Sequence, residues 1–356
     1  MELIRLGLTI ALSVSLFVPC AVADVIVVDP GGGGNFDNIP EAMFRGTADD
    51  TVLVMPGYYE VEAGIPYPWP VPLTSDSPSL VSHGGAEATL ILGDGSLPAF
   101  VVADSRYGAR VLISGFKFRA LETPFDWDGP GYGAEVSFTD NIVEECETGV
   151  DIRWGSGLVA RNAIAGPGYY GITCPYFSGS IEDNEISGFL VDGIISTNED
   201  TEILRNHIHD NANAGITTTA DCIAEGNLIE NNEWYGLSIA FDAHLTDNVI
   251  RGNGIGIEYW GGPHTGFMHG NEIYDNVDAS VSAYAGDLDP PTFFDATMNW
   301  WGTTDPVAIS ESIWDCHDSE WAGVCFVFEP WCVTPACDPT GVDEEATWGS
   351  IKALYR

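Results

Sequence analysis

An all-β solenoid is the fold this sequence predicts, and three observations predict it. An Asn-x-Ile triplet recurs as Asn162-Ala163-Ile164, Asn184-Glu185-Ile186, Asn206-His207-Ile208, Asn227-Leu228-Ile229, Asn248-Val249-Ile250 and Asn271-Glu272-Ile273, with a compressed first copy at Asn141-Ile142. The steps are 21, 22, 22, 21, 21 and 23 residues, a fixed period in the range of stacked repeat architectures. A second column, glycine followed by Val, Ile or Leu at Gly149, Gly171, Gly193, Gly215, Gly236 and Gly256, keeps step with the first. Between these markers apolar and polar residues alternate, as in strands with one buried face. Three short strands and their turns fit one coil of ~21–23 residues.

Stacking explains why asparagine recurs. The same position returns about 4.8 Å away in the next coil, so like residues lie on like. The asparagines are expected to be buried turn residues that tolerate a left-handed backbone and hydrogen-bond to the asparagines above and below. Asn211, Asn232, Asn253 and Asn276 mark the following turn. The residues just before the ladder, Arg161, Asp183, Arg205, Gly226, Asp247 and Gly270, are expected to pair between coils. Each exposed pair contributes about 0.2–1 kcal/mol, which makes this flank structural and a poor place for a site.

Taken in order, the chain begins with a secretory signal over 1–23: Arg5, an apolar run from Leu6 to Val18, and a small-x-small Ala21-Val22-Ala23. The β-helix with its end caps is expected over 24–331. Val25–Val28 is strand-like, and residues 38–46 read as a short helix with Asn38 as cap, Pro40 in the first turn and Gly46 as stop. Thr51-Val52-Leu53-Val54 is a strand ended by Pro56-Gly57. The helix suits the open first coil, whose core and strand edges need cover. Residues 63–76, proline-rich and carrying Trp69, are expected to loop out of the body. Past Asn276 the repeat degrades. Asn299 reads as a last rung, Ile309–Trp314 as a helical turn, and the aromatics through Trp331 as a plug for the far end. Residues 332–356 read as an acidic, cysteine-containing linker followed by a short amphipathic tail suited to sorting or docking.

The glycine loop, the helix, Asp50-Thr51-Val52-Leu53-Val54, Pro56-Gly57-Tyr58-Tyr59 and the closing Asn299-Trp300-Trp301-Gly302 together resemble the secreted right-handed parallel β-helix proteins of the pectate-lyase-like superfamily. The resemblance covers residues 25–331 and is specific for fold rather than activity. It implies a right-handed parallel β-helix with a helical N-terminal cap and an aromatic, disulfide-bearing C-terminal cap. It also implies that any chemistry lies on outward residues along the sheets. Polyuronate lyases of this kind need a cation, usually Ca²⁺ held by carboxylates, and a base beside the sugar; hydrolases need clustered aspartates.

Composition narrows the partners. Fifty-three acidic residues against 12 basic ones give a net charge of −41, which repels phosphate backbones and excludes nucleic acid as a natural partner. Polyuronates are repelled too unless Ca²⁺ bridges. After the signal no apolar run is long enough to span a bilayer. Cys316, Cys325, Cys332 and Cys337 suggest two disulfides in an oxidising compartment; neighbour pairing closes the shortest loops, with the three possible pairings left open. Cys146, Cys174 and Cys222 read as buried apolar residues. A secreted monomer is expected, extracellular, periplasmic or on the cell surface.

On the first strand of each coil the outward column runs Asp151, Thr173, Ile195, Thr217, Ser238 and Glu258. It shows no paired acids on neighbouring coils, which argues against a hydrolase site. The third strand is richer. His207 and His209 face one side, Glu185 and Glu230 lie on adjoining coils, Arg251 follows, and Asp210 sits at the turn. Two imidazoles so placed suit a metal or a substrate. In an enzyme reading His207 or His209 is the base, Arg251 stabilises a substrate carboxylate, and Glu185, Glu230 and Asp210 hold a cation such as Ca²⁺. Trp154, Tyr176, Phe241 and Trp260 recur near one turn and suit sugar stacking. The favoured function is recognition of an extracellular polysaccharide or a surface-structural role. The alternatives are a lyase or epimerase acting on acidic glycans, and a periplasmic metal-binding β-helix.

Overall fold

The computed structural model describes residues 23–62, 67, 69–102, 110–127, 135–240, 242–261, 266–284, 286, 291–319, 321–335 and 337. The body of the expected signal, the C-terminal tail and Phe241 lie outside these residues. The described chain is a right-handed parallel β-helix whose strands stack into three sheets of 11, 13 and 10 strands. Each regular coil contributes a strand to the first sheet, then the second, then the third.

The core is built from repeated columns. On the first sheet Ile172, Ile194, Ile216, Leu237 and Ile257 lie in register. On the third sheet Ile164, Ile186, Ile208, Ile229, Ile250 and Ile273 do the same. All are essentially shut off from solvent, and each such side chain contributes about 1.5–3 kcal/mol by leaving water.

The corner between the second and third sheets carries the ladder. Each Asn Nδ2 donates to the next Oδ1: Asn162 to Asn184 at 2.9 Å, Asn184 to Asn206 at 2.9 Å, Asn206 to Asn227 at 3.1 Å, Asn227 to Asn248 at 2.9 Å and Asn248 to Asn271 at 2.9 Å. Asn299 closes it, accepting from Asn271 at 2.9 Å. Each amide also serves the backbone. Asn206 Nδ2 donates to the Ile181 carbonyl at 2.8 Å, and its Oδ1 accepts from the Asn184 N–H at 3.0 Å. The second column forms a shorter ladder, Asn211 to Asn232 at 2.9 Å, Asn232 to Asn253 at 3.0 Å and Asn253 to Asn276 at 3.1 Å.

One expectation is corrected here. The left-handed backbone belongs to the residue before each ladder asparagine: Arg161, Asp183, Arg205 and Asp247 have φ of 55°, 54°, 54° and 55°, and Gly226 and Gly270 take 66° and 72°. The left-handed residue turns the chain at the corner, so the next side chain points inward. The flank also pairs outward as expected, Arg161 with Asp140 at 2.8 Å and Arg205 with Asp183 at 3.0 Å and Glu182 at 2.7 Å.

The ends close as expected, with two differences. Helix Ile39–Arg45 is capped by Asn38, whose Oδ1 accepts from Glu41 N at 2.9 Å. At the other end Tyr259, Phe294 and Phe326 pack ring against ring, at 5.1, 5.9 and 5.7 Å between centroids. Disulfides join Cys316 to Cys325 and Cys332 to Cys337. The late helix spans Pro306–Glu311, not Ile309–Trp314, because Asp305 caps it and Pro306 suits its first turn. Trp314 instead joins a first-sheet strand beside Ser282. Trp69, expected in a protruding loop, is buried 5.6 Å from the Phe100 ring. The strand after it, Val71–Leu73, takes Pro72 because it lies at the sheet edge.

Removing a middle rung tests the ladder. Asn206→Ala leaves the Asn184 N–H without the Oδ1 it donates to and removes the amide's bonds to the Ile181 carbonyl and to Asn227, and is expected to cost about 2–4 kcal/mol. The exposed Glu233→Ala should stay within about 0.5 kcal/mol in the same chemical-denaturation measurement.

Candidate functional site

Two outward faces carry concentrated chemistry. On the third sheet, strand His207–His209 stacks between Glu185–Ser187 and Leu228–Glu230, then Val249–Arg251 and Glu272–Tyr274. Register places Glu185 beside His207, and runs Ser187, His209, Glu230, Arg251 and Tyr274 as one column. The imidazoles of His207 and His209 lie 4.2 Å apart between centroids.

Contacts in this group are dense. Glu230 is shared: its Oε1 is 3.0 Å from His207 Nε2, and its Oε2 accepts from Arg251 Nε at 2.8 Å. Burial pushes the Glu230 carboxyl up, but hydrogen bonds from Arg251 and His207 outweigh it and hold the group below the usual carboxylate range. Arg251 also donates to the Tyr274 hydroxyl at 3.2 Å. Thus Arg251, expected to face a substrate carboxylate, already neutralises a carboxylate of the protein. His209 Nδ1 meets Asp210 at 2.6 Å, and its Nε2 lies 3.7 Å from Glu185 Oε1. Glu185, His207 and His209 each bring one ligand atom within 4.8 Å of the others. Glu230 and Asp210 fall outside that group and hold the imidazoles instead. Two imidazoles and one carboxylate are not the all-oxygen set that Ca²⁺ takes, so the residues present do not fit Ca²⁺ here.

The other face is the first sheet. Its outward column runs in register through Asp126, Asp151, Thr173, Ile195, Thr217, Ser238 and Glu258. The column thus gains Asp126, one coil before the regular repeats, and neighbouring coils do carry paired acids, contrary to expectation. The glycine column starts at Gly149, so nothing periodic in the sequence assigned Asp126 a register. Asp151 is nearly buried. Arg153 donates to it from Nε at 3.2 and 3.1 Å and from Nη2 at 2.9 Å, and Thr173 donates its hydroxyl at 2.6 Å.

Trp154, Tyr176 and Trp260 each follow a strand of this column. Trp154 and Tyr176 stack at 4.3 Å with an interplanar angle of 21°, just past the corner from the first sheet. Tyr176 is exposed. Trp260 lies four coils further along, and its Nε1 donates to Ser238 Oγ at 2.8 Å, which in turn donates to Glu258 at 3.1 Å. Burial and the Glu258 charge push the neighbouring Tyr235 hydroxyl up. The result is a polar lane with carboxylates near both ends and aromatic rings along one rim.

The cysteines supply no further chemistry. Burial pushes the thiols of Cys146, Cys174 and Cys222 up to about 12, so they are inert. Cys316 and Cys325 neighbour His317, but their disulfide removes them as metal ligands. Among the described residues no helix is long and apolar enough to cross a membrane.

The fold is a right-handed parallel β-helix, and the comparisons agree on the fold. Residues 130–278 match the family described as "Right handed beta helix region". The A-module of mannuronan C-5 epimerase AlgE4 from Azotobacter vinelandii is similar with a TM-score of 0.52 and 16% identity, over 83% of this chain and 93% of that one. The catalytic domain of a GH87 alpha-1,3-glucanase, solved with tetrasaccharides, is similar with a TM-score of 0.54 and 12% identity, over 86% and 68%. At these identities the likeness is one of fold. No curated protein sequence matches the chain.

A buried group in the turn that leads into the first-sheet strand Ile194–Ser196 gives a pH test. Asp192 accepts from Asn213 Nδ2 at 2.6 Å and Ala214 N at 3.0 Å, yet burial raises its carboxyl above the ordinary aspartate value. A carboxyl that holds its proton more tightly folded than unfolded opposes folding as pH rises through that interval. Asp192→Asn is therefore expected to raise Tm near neutral pH, and the gain should vanish in acid, where the native carboxyl is itself protonated. A Tm difference independent of pH would contradict this.

Proposed function

We propose that this protein recognises an extracellular polysaccharide along the first-sheet lane. The observation that carries the reading is the juxtaposition of the stacked Trp154–Tyr176 pair with the in-register column from Asp126 to Glu258. Aromatic faces take the apolar faces of sugar rings, and a row of hydroxyls and carboxylates takes their hydroxyl groups. Strands stacked in parallel repeat this surface at a spacing of about 4.8 Å, as a linear polymer requires. The lane holds Asp126, Asp151 and Glu258 against Arg153, and the chain carries −41 overall. This balance favours a neutral glycan over a polyuronate. The two disulfides and the signal-like N-terminus support a location outside the cytoplasm.

One observation favours catalysis as a second reading: Asp126 and Asp151 are direct neighbours on adjacent coils. A carboxylate pair is what glycosidic cleavage uses as acid and base or nucleophile. A lyase or epimerase built on His207 or His209 has less support, because Arg251 is engaged by Glu230 and Tyr274.

The test is binding to insoluble and soluble glycans, neutral and acidic, with and without Ca²⁺. The Trp154→Ala, Tyr176→Ala double variant is expected to bind at least about ten-fold more weakly, roughly 1.4 kcal/mol. Equal binding by variant and parent would remove the lane. If a bound glycan is also cleaved, Asp151→Asn is expected to slow turnover by about 10²-fold or more.

A further inference from the structure

We propose that His207, His209 and Glu185 form a binding site for a divalent first-row transition-metal ion, with Asp210 and Glu230 orienting the imidazoles. The site lies on the third sheet and is independent of the glycan lane.

The argument is an account of ring nitrogens. His209 has its Nδ1 against Asp210 at 2.6 Å. Its Nε2 is buried, has no hydrogen-bond partner, and lies 3.7 Å from Glu185 Oε1. A buried polar atom left without a partner is uncommon and asks for an explanation. A metal ion between Nε2 and the Glu185 carboxylate supplies one. His207 has its Nε2 against Glu230 at 3.0 Å, so that when Nε2 carries the proton the Nδ1 lone pair is left to face an ion. Each imidazole thus has one nitrogen on a carboxylate and the other available, the arrangement in which a carboxylate fixes ring tautomer and orientation for a metal-ligating histidine.

Rigidity and geometry support the same reading. Glu230 is itself held by Arg251, at 2.8 and 2.7 Å, so the His207 ring rests on an anchored partner. One ligand atom from each of Glu185, His207 and His209 lies within 4.8 Å of the other two. Ligand atoms around tetrahedral zinc are about 3.3 Å apart, given bonds of about 2.0 Å. The remaining closure falls to Glu185, whose side chain is 64% exposed and able to swing inward. Two nitrogens and one carboxylate oxygen select zinc, copper, nickel or cobalt over Ca²⁺ and Mg²⁺. Three protein ligands at the surface leave a fourth position for water or an exogenous group. The ion also links two coils through side chains, beyond the backbone ladder.

Calorimetric titration of the untagged full-length protein with Zn²⁺ is the test, in excess Ca²⁺ and Mg²⁺ to occupy diffuse acidic sites. One Zn²⁺ per chain is expected, together with a rise in Tm on zinc addition. The exposed Glu185→Gln should weaken binding at least about ten-fold, and Glu230→Gln about 10- to 100-fold, as loss of an orienting partner does. His207→Ala, His209→Ala should abolish stoichiometric uptake while keeping the parent's far-ultraviolet circular dichroism. Absence of saturable uptake by the parent protein would overturn the site, as would equal uptake by the folded double-histidine variant. Parent-like affinity in Glu230→Gln would remove the orienting role assigned to that residue.

Discussion

Everything in this molecule hangs on a hydrogen bond repeated at one corner, from the side-chain amide of one asparagine to that of the next. The bond is effective because it is buried: the amide replaces water for its neighbour and for two backbone groups of adjoining coils. A turn that enters the interior needs such a partner, or its N–H and C=O groups would be left unsatisfied. The left-handed residue before each asparagine makes the corner, which accounts for glycine at 226 and 270, and for charged residues where the exposed side chain finds a partner on the next coil.

A ladder of fixed period has a second effect. It locks the register of the three sheets, so the surface becomes a set of columns whose members are about 4.8 Å apart. Chemistry then depends on which residue types share a column. On the third sheet a histidine pair falls among Glu185, Glu230 and Arg251, and charges meet at hydrogen-bonding distance. On the first sheet small hydroxylated residues separate two acidic positions, and the surface is a lane rather than a knot of charge. The same architecture yields a compact ligand set on one face and an extended binding surface on another.

How much of this was legible depended on distance from the regular repeats. Within residues 141–276 the column assignments on the third sheet were readable, because each position could be counted from a ladder asparagine. Outside that range counting failed. Asp126 precedes the glycine column, and Trp69 follows a proline-rich stretch that reads as a loop, although a sheet edge accepts Pro72. The left-handed residue was displaced by one, since asparagine's tolerance of that conformation is a local tendency and its burial is a tertiary demand. Neighbour pairing of the cysteines was one of three possibilities until their positions in the cap were known.

The sequence by itself determined the repeat, the buried and exposed faces and the side on which His207 and His209 project, because period and alternation are properties of the chain. Tertiary structure decided which nitrogen of each histidine is taken, that Arg251 is committed to Glu230, and that Asp126 stands beside Asp151. Apart from His209 and Asp210, which are neighbours in the chain, these are matters of a few ångströms between residues 21–25 positions apart in sequence. A repeat period states that such residues are neighbours; only packing selects which of their atoms meet.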